Sequence, residues 1–149
     1  MPHTYSRTLL HIVFSTKDRK PLIAATFRKR LHAYIAGIIQ RSDGHALIVN
    51  GTDDHIHILI ALPAARSLSE MVRLIKSNSS KWIHETLKQM EFRWQRGFSA
   101  FSVSESNSSR VRAYIEHQEE HHRKSTFQDE YRKLLERHEI ECDERFMWD

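Results

Sequence analysis

Cysteine and long apolar runs are what this 149-residue chain has least of. Cys142 is the only cysteine, so no internal disulfide can form, which suits a reducing compartment. No stretch approaches the roughly 18 apolar residues of a membrane span, and the first residues lack the apolar run of a signal peptide. The sequence also contains no internal repeat and no long linker. We therefore expect one cytoplasmic domain that spans residues 1–149.

The charge balance is modestly basic. The chain has 23 Lys and Arg against 19 Asp and Glu, a net charge of +4, and it has 11 histidines. A basic excess favours a polyanionic partner such as nucleic acid, although a solvated basic surface would have the same composition. The histidines slightly favour metal or phosphate chemistry. A hydrophobic fraction of 40% is enough for an ordinary core.

Hydrophobic periodicity and turn residues divide the chain into strands and helices. Capping signals are Thr26 for the first helix, Ser67 with Glu70 for the second, and Ser125 with Gln128 for the last. The predicted strands are 5–15, 45–51, 55–62 and 98–104, and the predicted helices begin near residues 26, 67, 109 and 125.

The order of these elements is strand, helix, strand, strand, helix, strand, followed by two helices. The first six match the split ferredoxin-like pattern. We therefore expect an α+β fold with a ferredoxin-like antiparallel sheet and helices on one face. The other face would be free for a ligand or partner.

Two histidines, His55 and His57, alternate with isoleucines in the third predicted strand. Alternate side chains of a strand share a face, so the isoleucines would meet the helices and the histidines would share the open face. Their backbones would be roughly 7 Å apart, and imidazoles at that spacing can converge on one metal ion. The alternative is a pair of partly exposed strand histidines without a ligand.

Tyr114 and Gln118 are four residues apart on a predicted helix, so they share one face of it. A phenol can act as a nucleophile, and an amide oxygen is a neutral hard ligand for a cation. Together with the histidine pair, they would give a phosphate-transfer site a nucleophile and a Lewis acid. The alternative is a tyrosine packed at the edge of its helix.

These motifs resemble those of the single-tyrosine HUH transposases of bacterial insertion sequences and of the related REP-associated tyrosine transposases. A His-hydrophobe-His core in a strand is typical of enzymes that nick DNA through a tyrosine. The segments that carry the resemblance are Tyr5–Thr16, Asp54–Leu59, Ser69–Ser80, Trp94–Ser104 and Tyr114–His122. The resemblance extends over nearly the whole chain, from the first of these segments to the last.

The resemblance implies that Tyr114 is the nucleophile and that His55, His57 and Gln118 bind a divalent metal, Mg or Mn. It implies cleavage and rejoining of single-stranded DNA with hairpin-bearing ends through a 5′-phosphotyrosine link. It also implies a homodimer in which the tyrosine helix of one subunit completes the site of the other. His117 departs from the family, in which asparagine is common at that position.

Basic residues near these motifs are candidate phosphate contacts. They are Arg73, Lys76, Lys81, Arg96, Arg110 and Arg112. Trp94 and Phe98 would either stack on unpaired bases or pack in the core. His121, one turn beyond Gln118, is better explained as a structural or DNA contact than as a ligand.

Three other functions fit part of the pattern. One is a rolling-circle or relaxase-type HUH nickase, although those enzymes are usually larger and their motif order often differs. Another is a domesticated or catalytically reduced protein that binds single-stranded or hairpin DNA, which the presence of all four site residues disfavours. The third is a metal-binding protein of unrelated function, which the tyrosine motif disfavours.

Overall fold

The computed structural model describes residues 3–118, 120, 125–142, 145 and 147–148. Its strands are β1 (Thr8–Ser15), β2 (His45–Gly51), β3 (His55–Leu62) and β4 (Ser99–Val103). Its helices are α1 (Ala25–Arg41), α2 (Leu68–Glu85), α3 (Ser108–Glu116) and α4 (Phe127–Arg137).

The four strands form one antiparallel sheet in the order β2-β3-β1-β4. This is the strand order of the ferredoxin-like split pattern, so the predicted fold class is confirmed. The β2–β3 hairpin is very tight where it closes. A Cβ atom on Gly51 would lie 2.1 Å from the carbonyl oxygen of His55, so only glycine fits at that position.

One face of the sheet is apolar and is covered by α1 and α2. Strand alternation places Ile56, Ile58 and Ile60 on this face, and all three are fully buried against the helices. The apolar stripe of α1 meets them through residues such as Leu31 and Ile35. This core supplies the non-directional part of the stability of the fold.

The second face of the sheet is covered, so the prediction of an open second face is wrong. Helix α4 packs on it through Phe127, Tyr131 and Leu134, which form a cluster with Val13 and Phe101 of the sheet. The apolar side of α4 was visible in the sequence, but nothing in its periodicity indicated which surface it covers. Helices therefore lie on both faces.

The predicted element boundaries are confirmed for β2 and β3 and differ elsewhere. Ser67 caps α2 by accepting the backbone N–H of Glu70, as predicted. Helix α1 instead begins after Ala24, without a side-chain cap. The cap of α4 is Thr126, one residue after the predicted Ser125, and its hydroxyl accepts the N–H of Asp129.

The C-terminal segment docks against α4. The ring of Trp148 lies 5.1 Å from that of Phe127 and 5.0 Å from that of Tyr131, and the carbonyl of Trp148 accepts the N–H of Asp18 at 3.2 Å. Phe146 lies outside the described residues. No described helix is long and apolar enough to cross a membrane.

Candidate active site

His55 stands at the start of β3, where it is fully buried and held by its neighbours. Its Nδ1 lies 2.7 Å from Oδ1 of Asp54 and 3.0 Å from the hydroxyl of Thr52. Burial alone would raise the pKa of Asp54, but hydrogen bonds from His55 and Thr52 to its carboxylate outweigh burial and lower that pKa. An ionised Asp54 keeps the proton of His55 on Nδ1, so Nε2 presents its lone pair to the site.

His57, two residues along the same strand, is also fully buried. Its Nδ1 lies 2.8 Å from Nε2 of His11 on β1, and its Nε2 lies 3.2 Å from Oε1 of Glu130 on α4. Burial, followed by the nearby His57, holds the pKa of His11 well below its usual value, so His11 is neutral. The predicted shared face for the two histidines is what the structure has, and their ring centroids are 5.1 Å apart.

Tyr114 projects from α3 towards the histidines within the same chain. Its ring centroid lies 5.9 Å from that of His57 and 6.2 Å from that of His11. The side-chain amide of Asn50 on β2 donates to the carbonyls of Ile115 and Glu116 at 2.9 and 3.1 Å. This contact fastens the C-terminal end of the tyrosine helix to the strand beside the histidines.

The hydroxyl of Tyr114 donates a hydrogen bond to Oε1 of Glu130. Burial first, and then the charge and hydrogen bond of Glu130, raise the pKa of Tyr114 well above its usual value of 10. Burial alone would also raise the pKa of Glu130, but the contacts with His57 and Tyr114 outweigh it and lower that pKa to about 2. The phenol of Tyr114 is therefore protonated near neutral pH, and the ionised carboxylate of Glu130 accepts a hydrogen bond from it.

Gln118 is fully buried, and its Oε1 lies 3.4 Å from Nε2 of His55. When the proton of His55 is on Nδ1, its Nε2 and the Oε1 of Gln118 are both acceptors. Two acceptors that face each other repel unless a cation or proton lies between them. This donor set fits a divalent cation. Within the described ranges, no three His, Cys, Asp or Glu side chains form a metal cluster by themselves, so a site here needs the amide.

A hydrophobic cover closes the histidine face. The ring of Phe127 on α4 stacks flat on His55 at a centroid distance of 3.7 Å and an interplanar angle of 7°. It is also edge-on to His57 at 6.3 Å. Helix α4 supplies both Phe127 and Glu130. It therefore covers the histidines and also accepts a hydrogen bond from the hydroxyl of Tyr114.

The predicted basic residues do not form one surface. Arg73, Lys76 and Arg96 line a shallow groove beside α2, whereas Arg110 lines a cavity next to Tyr114. Lys81 and Arg112 are exposed and line neither of these. The two groups of basic residues therefore offer two separate surfaces to a polyanion.

Lys76 has a structural contact. Its ammonium donates to the backbone carbonyls of Gln95 and Arg96 at 2.9 and 3.2 Å, and to that of Gly97. Trp94 belongs to the core, where it packs edge-on against Phe14. Phe98 is partly buried against the same core. These contacts favour the packing explanation for Trp94 and Phe98 that the sequence had left open.

Sequence reasoning missed Glu130 and gave His11 no role. Glu130 lies on the helix whose packing surface could not be read from the sequence, and an isolated glutamate carries no motif. His11 did carry a signal, because its position in an otherwise apolar strand places an imidazole on the same face as His57. The exposed His117 hydrogen-bonds its own helix at the carbonyl of Ala113, and His121 lies outside the described residues.

Comparisons with known proteins agree with this geometry. The family model described as "Transposase IS200 like" matches residues 4–118, which include the histidine pair and the tyrosine helix. The transposase for insertion sequence element IS200 of Salmonella typhimurium is 26% identical over 124 residues, which are 79% of this chain and 81% of the relative. The IS200 transposase of Salmonella typhi matches equally well.

Two solved structures share the fold. A crystal structure of a candidate transposase from Deinococcus radiodurans R1 superposes with a TM-score of 0.63 at 16% identity, over 79% of this chain and 95% of that one. A REP-associated tyrosine transposase bound to a REP hairpin superposes with a TM-score of 0.54 at 15% identity, over 77% of this chain and 67% of that one.

Proposed function

Because the chain belongs to the IS200-like transposase family, whose members are DNA transposases, we propose that it cleaves and rejoins single-stranded DNA through Tyr114. The observation that carries the proposal is the position of the Tyr114 phenol beside the buried pair His55 and His57 in one chain. The REP hairpin bound by the REP-associated transposase supports hairpin-bearing ends as the substrate. We assign the reaction to the cytoplasm, because a chain with one cysteine suits a reducing compartment.

In this proposal His55, His57 and Gln118 hold the divalent metal, Mg or Mn, through two imidazole nitrogens and an amide oxygen. When bound, the metal polarises the scissile phosphate as a Lewis acid. The carboxylate of Asp54 orients His55, and the neutral ring of His11 orients His57.

Glu130 positions the nucleophile, because its carboxylate accepts a hydrogen bond from the hydroxyl of Tyr114. Oη of Tyr114 forms a bond to phosphorus while the bond from phosphorus to the leaving 3′ oxygen breaks, and the phenolic proton passes to water. The leaving oxygen takes a proton from water and becomes a 3′ hydroxyl. The 5′-phosphotyrosine link keeps the bond energy, so a second 3′ hydroxyl can attack it and rejoin the strand without a nucleotide cofactor.

Five basic residues are the proposed phosphate contacts. Arg110 and Arg112 lie on the helix of Tyr114, and Arg73, Lys81 and Arg96 lie on or beside α2. Such contacts make the affinity for DNA fall with salt. We leave Lys76 out of this set, because its ammonium is occupied by backbone carbonyls.

The covalent adduct is the test of the nucleophile. The protein is incubated with Mg or Mn and with labelled hairpin-bearing strands from its own genomic neighbourhood, and adducts are separated on a denaturing gel. We expect an adduct with wild type and with Tyr34→Phe, whose ring stacks on Trp82 away from the site. We expect none with Tyr114→Phe. An adduct that survives Tyr114→Phe contradicts the assignment of the nucleophile.

A catalytically reduced DNA-binding protein is the second candidate function. The observation that favours it is the cover, because Phe127 stacks on His55 and Glu130 holds the Tyr114 hydroxyl. Hairpin strands that bind with high affinity but give no adduct in either metal would support it.

A homodimer remains part of the proposal, and the number of chains in one site is testable. The single chain brings Tyr114 and Gln118 to the histidines by itself. Mixing Tyr114→Phe with His57→Ala subunits should restore cleavage if subunits share sites. Heterodimers that remain inactive would indicate a site built within one chain.

A further inference from the structure

A cavity opens beside Tyr114, on the side away from Gln118. It lies between β4, α3 and α4 and has a volume of about 540 Å³. Phe101, Val111 and Leu134 form apolar parts of its wall, and Ser104 and Asn107 add a hydroxyl and an amide. The ring of Tyr114 is itself part of the wall. A molecule in the cavity would therefore touch the proposed nucleophile.

Three cations surround this cavity. Arg110 on α3 and Lys133 and Arg137 on α4 all line it, and all three are exposed. None of them forms an ion pair with another residue in the part of the chain that the structure describes. Their charges are therefore available to an anion that enters from solvent.

The size and chemistry of the cavity match one deoxynucleotide. Ligand sites in proteins usually enclose about 300–1,000 Å³ and combine apolar walls with a few polar groups. A nucleotide has a flat base that suits the apolar wall and a phosphate that suits the cations. Neither a purely apolar ligand nor a bare anion would use both halves of this lining.

In-line geometry determines which nucleotide fits. Attack by Tyr114 places the leaving 3′ oxygen on the far side of phosphorus from the phenolic oxygen. The nucleotide on the 5′ side of the cut therefore departs away from the tyrosine. The nucleotide on the 3′ side stays bonded to phosphorus through its 5′ oxygen. That oxygen does not lie on the line that joins the attacking and leaving oxygens. A cavity that the tyrosine ring lines suits that second nucleotide.

We propose that this cavity binds the deoxynucleotide on the 3′ side of the scissile phosphate, with Arg110, Lys133 and Arg137 contacting its phosphates. This rests on the proposed function, because it presumes cleavage by Tyr114. It gives the chain a way to hold the strand that becomes linked to the tyrosine. It also makes α4 part of the substrate site as well as the cover of the histidines.

The first experiment measures free nucleotides, so it needs no cleavage. Isotope-labelled wild type is titrated separately with the four deoxynucleoside 5′-monophosphates, which mimic the retained nucleotide, and with the matching 3′-monophosphates. We expect the methyl resonances of Val103, Val111 and Leu134 to shift, with a dissociation constant of about 1 mM for the best 5′-monophosphate. Shifts confined to other regions, or 3′-monophosphates that bind as tightly, would overturn the proposal.

A matched pair of variants tests the cations. Lys133→Gln with Arg137→Gln should weaken binding about tenfold. Lys29→Gln with Arg132→Gln makes the same change of net charge at exposed positions that do not line the cavity, and it should leave binding unchanged. Equal weakening in both double variants would indicate general electrostatic attraction and would contradict the proposal.

A third variant, Val103→Trp, places an indole on the face of β4 that Phe101 shares, at a half-buried position that lines the cavity. It should block binding while the spectrum of the core stays unchanged, and a variant that still binds nucleotide contradicts the site. The adduct assay separates the two proposals. An adduct without nucleotide binding refutes only this cavity. Nucleotide binding without an adduct refutes the proposed cleavage, and with it the assignment of the bound nucleotide to the 3′ side of a cut.

Discussion

The two faces of the β-sheet use the same strands for opposite purposes. On β3, isoleucines at 56, 58 and 60 meet α1 and α2, while His55 and His57 meet α3 and α4. The first face is held by burial alone, which is non-directional. The second face buries polar groups, and each of these must find a specific partner or destabilise the fold. The apolar face therefore depends on close packing of shape, whereas the polar face also requires specific partners in one geometry.

That difference explains where chemistry can be placed. Glu130 contacts both His57 and Tyr114, and Asp54 contacts His55, so each polar side chain fixes the position of the next. Such a network orients functional groups at some cost in stability. The apolar face offsets that cost, because each fully buried isoleucine contributes roughly 1.5–3 kcal/mol. Variants on each face test this division.

Ile58→Ala should have the largest effect on stability, a loss of about 2–5 kcal/mol in the free energy of unfolding, because it leaves a cavity in the apolar core. His57→Gln on the opposite face should cost less stability but should abolish the adduct. Urea unfolding and the adduct assay measure the two properties. An Ile58→Ala variant that unfolds like wild type would contradict the division between the faces.

Lowering the pH should destabilise the fold through His32 on α1. Burial, helped by Arg28, lowers the pKa of His32 to about 4 from its usual 6.5. The unfolded state therefore binds more protons between pH 6.5 and 4, so this residue should make stability fall by about 2 kcal/mol as pH drops through that window. His32→Gln should flatten the pH dependence of urea unfolding, whereas the exposed His45→Gln should not.

Asp54→Asn should weaken the binding of Mn²⁺ by roughly tenfold, because it removes the carboxylate that orients His55. Titration calorimetry with the apoprotein measures this without any DNA. The neighbouring Asp53 is exposed, so Asp53→Asn is the control for charge and should bind Mn²⁺ as wild type does. Equal affinities in the two variants would remove Asp54 from the metal site.

The helix caps should give the smallest effect. Thr126→Ala and Ser67→Ala each remove a hydroxyl that accepts a backbone N–H, and each should cost about 1 kcal/mol. Hydrogen exchange will compare them by helix. We expect Thr126→Ala to loosen α4 and expose the histidine face to exchange, and Ser67→Ala to loosen only α2. If either variant loosened both helices, the two faces of the sheet would not be independent in stability.

The sequence predicted the elements with strong periodicity. The bounds of β2 and β3 and the cap at Ser67 are as predicted, because alternation and capping are local properties. The start of β1 was placed three residues too early, at Tyr5, which is 91% exposed. The cover of the second face was missed, because the surface on which an amphipathic helix packs depends on residues far away in the chain.

The shared face of His55 and His57 and the pairing of Tyr114 with Gln118 follow from the sequence alone, because each depends on spacing within one element, which the repeat of a strand or helix fixes. The ferredoxin-like order of elements follows in the same way from the period of each segment. The folded chain adds three features that the sequence did not indicate. Glu130 accepts a hydrogen bond from Tyr114, Phe127 covers His55, and a cavity opens beside the tyrosine. Those contacts join β1, β3, α3 and α4, and chain spacing sets no distance between separate elements.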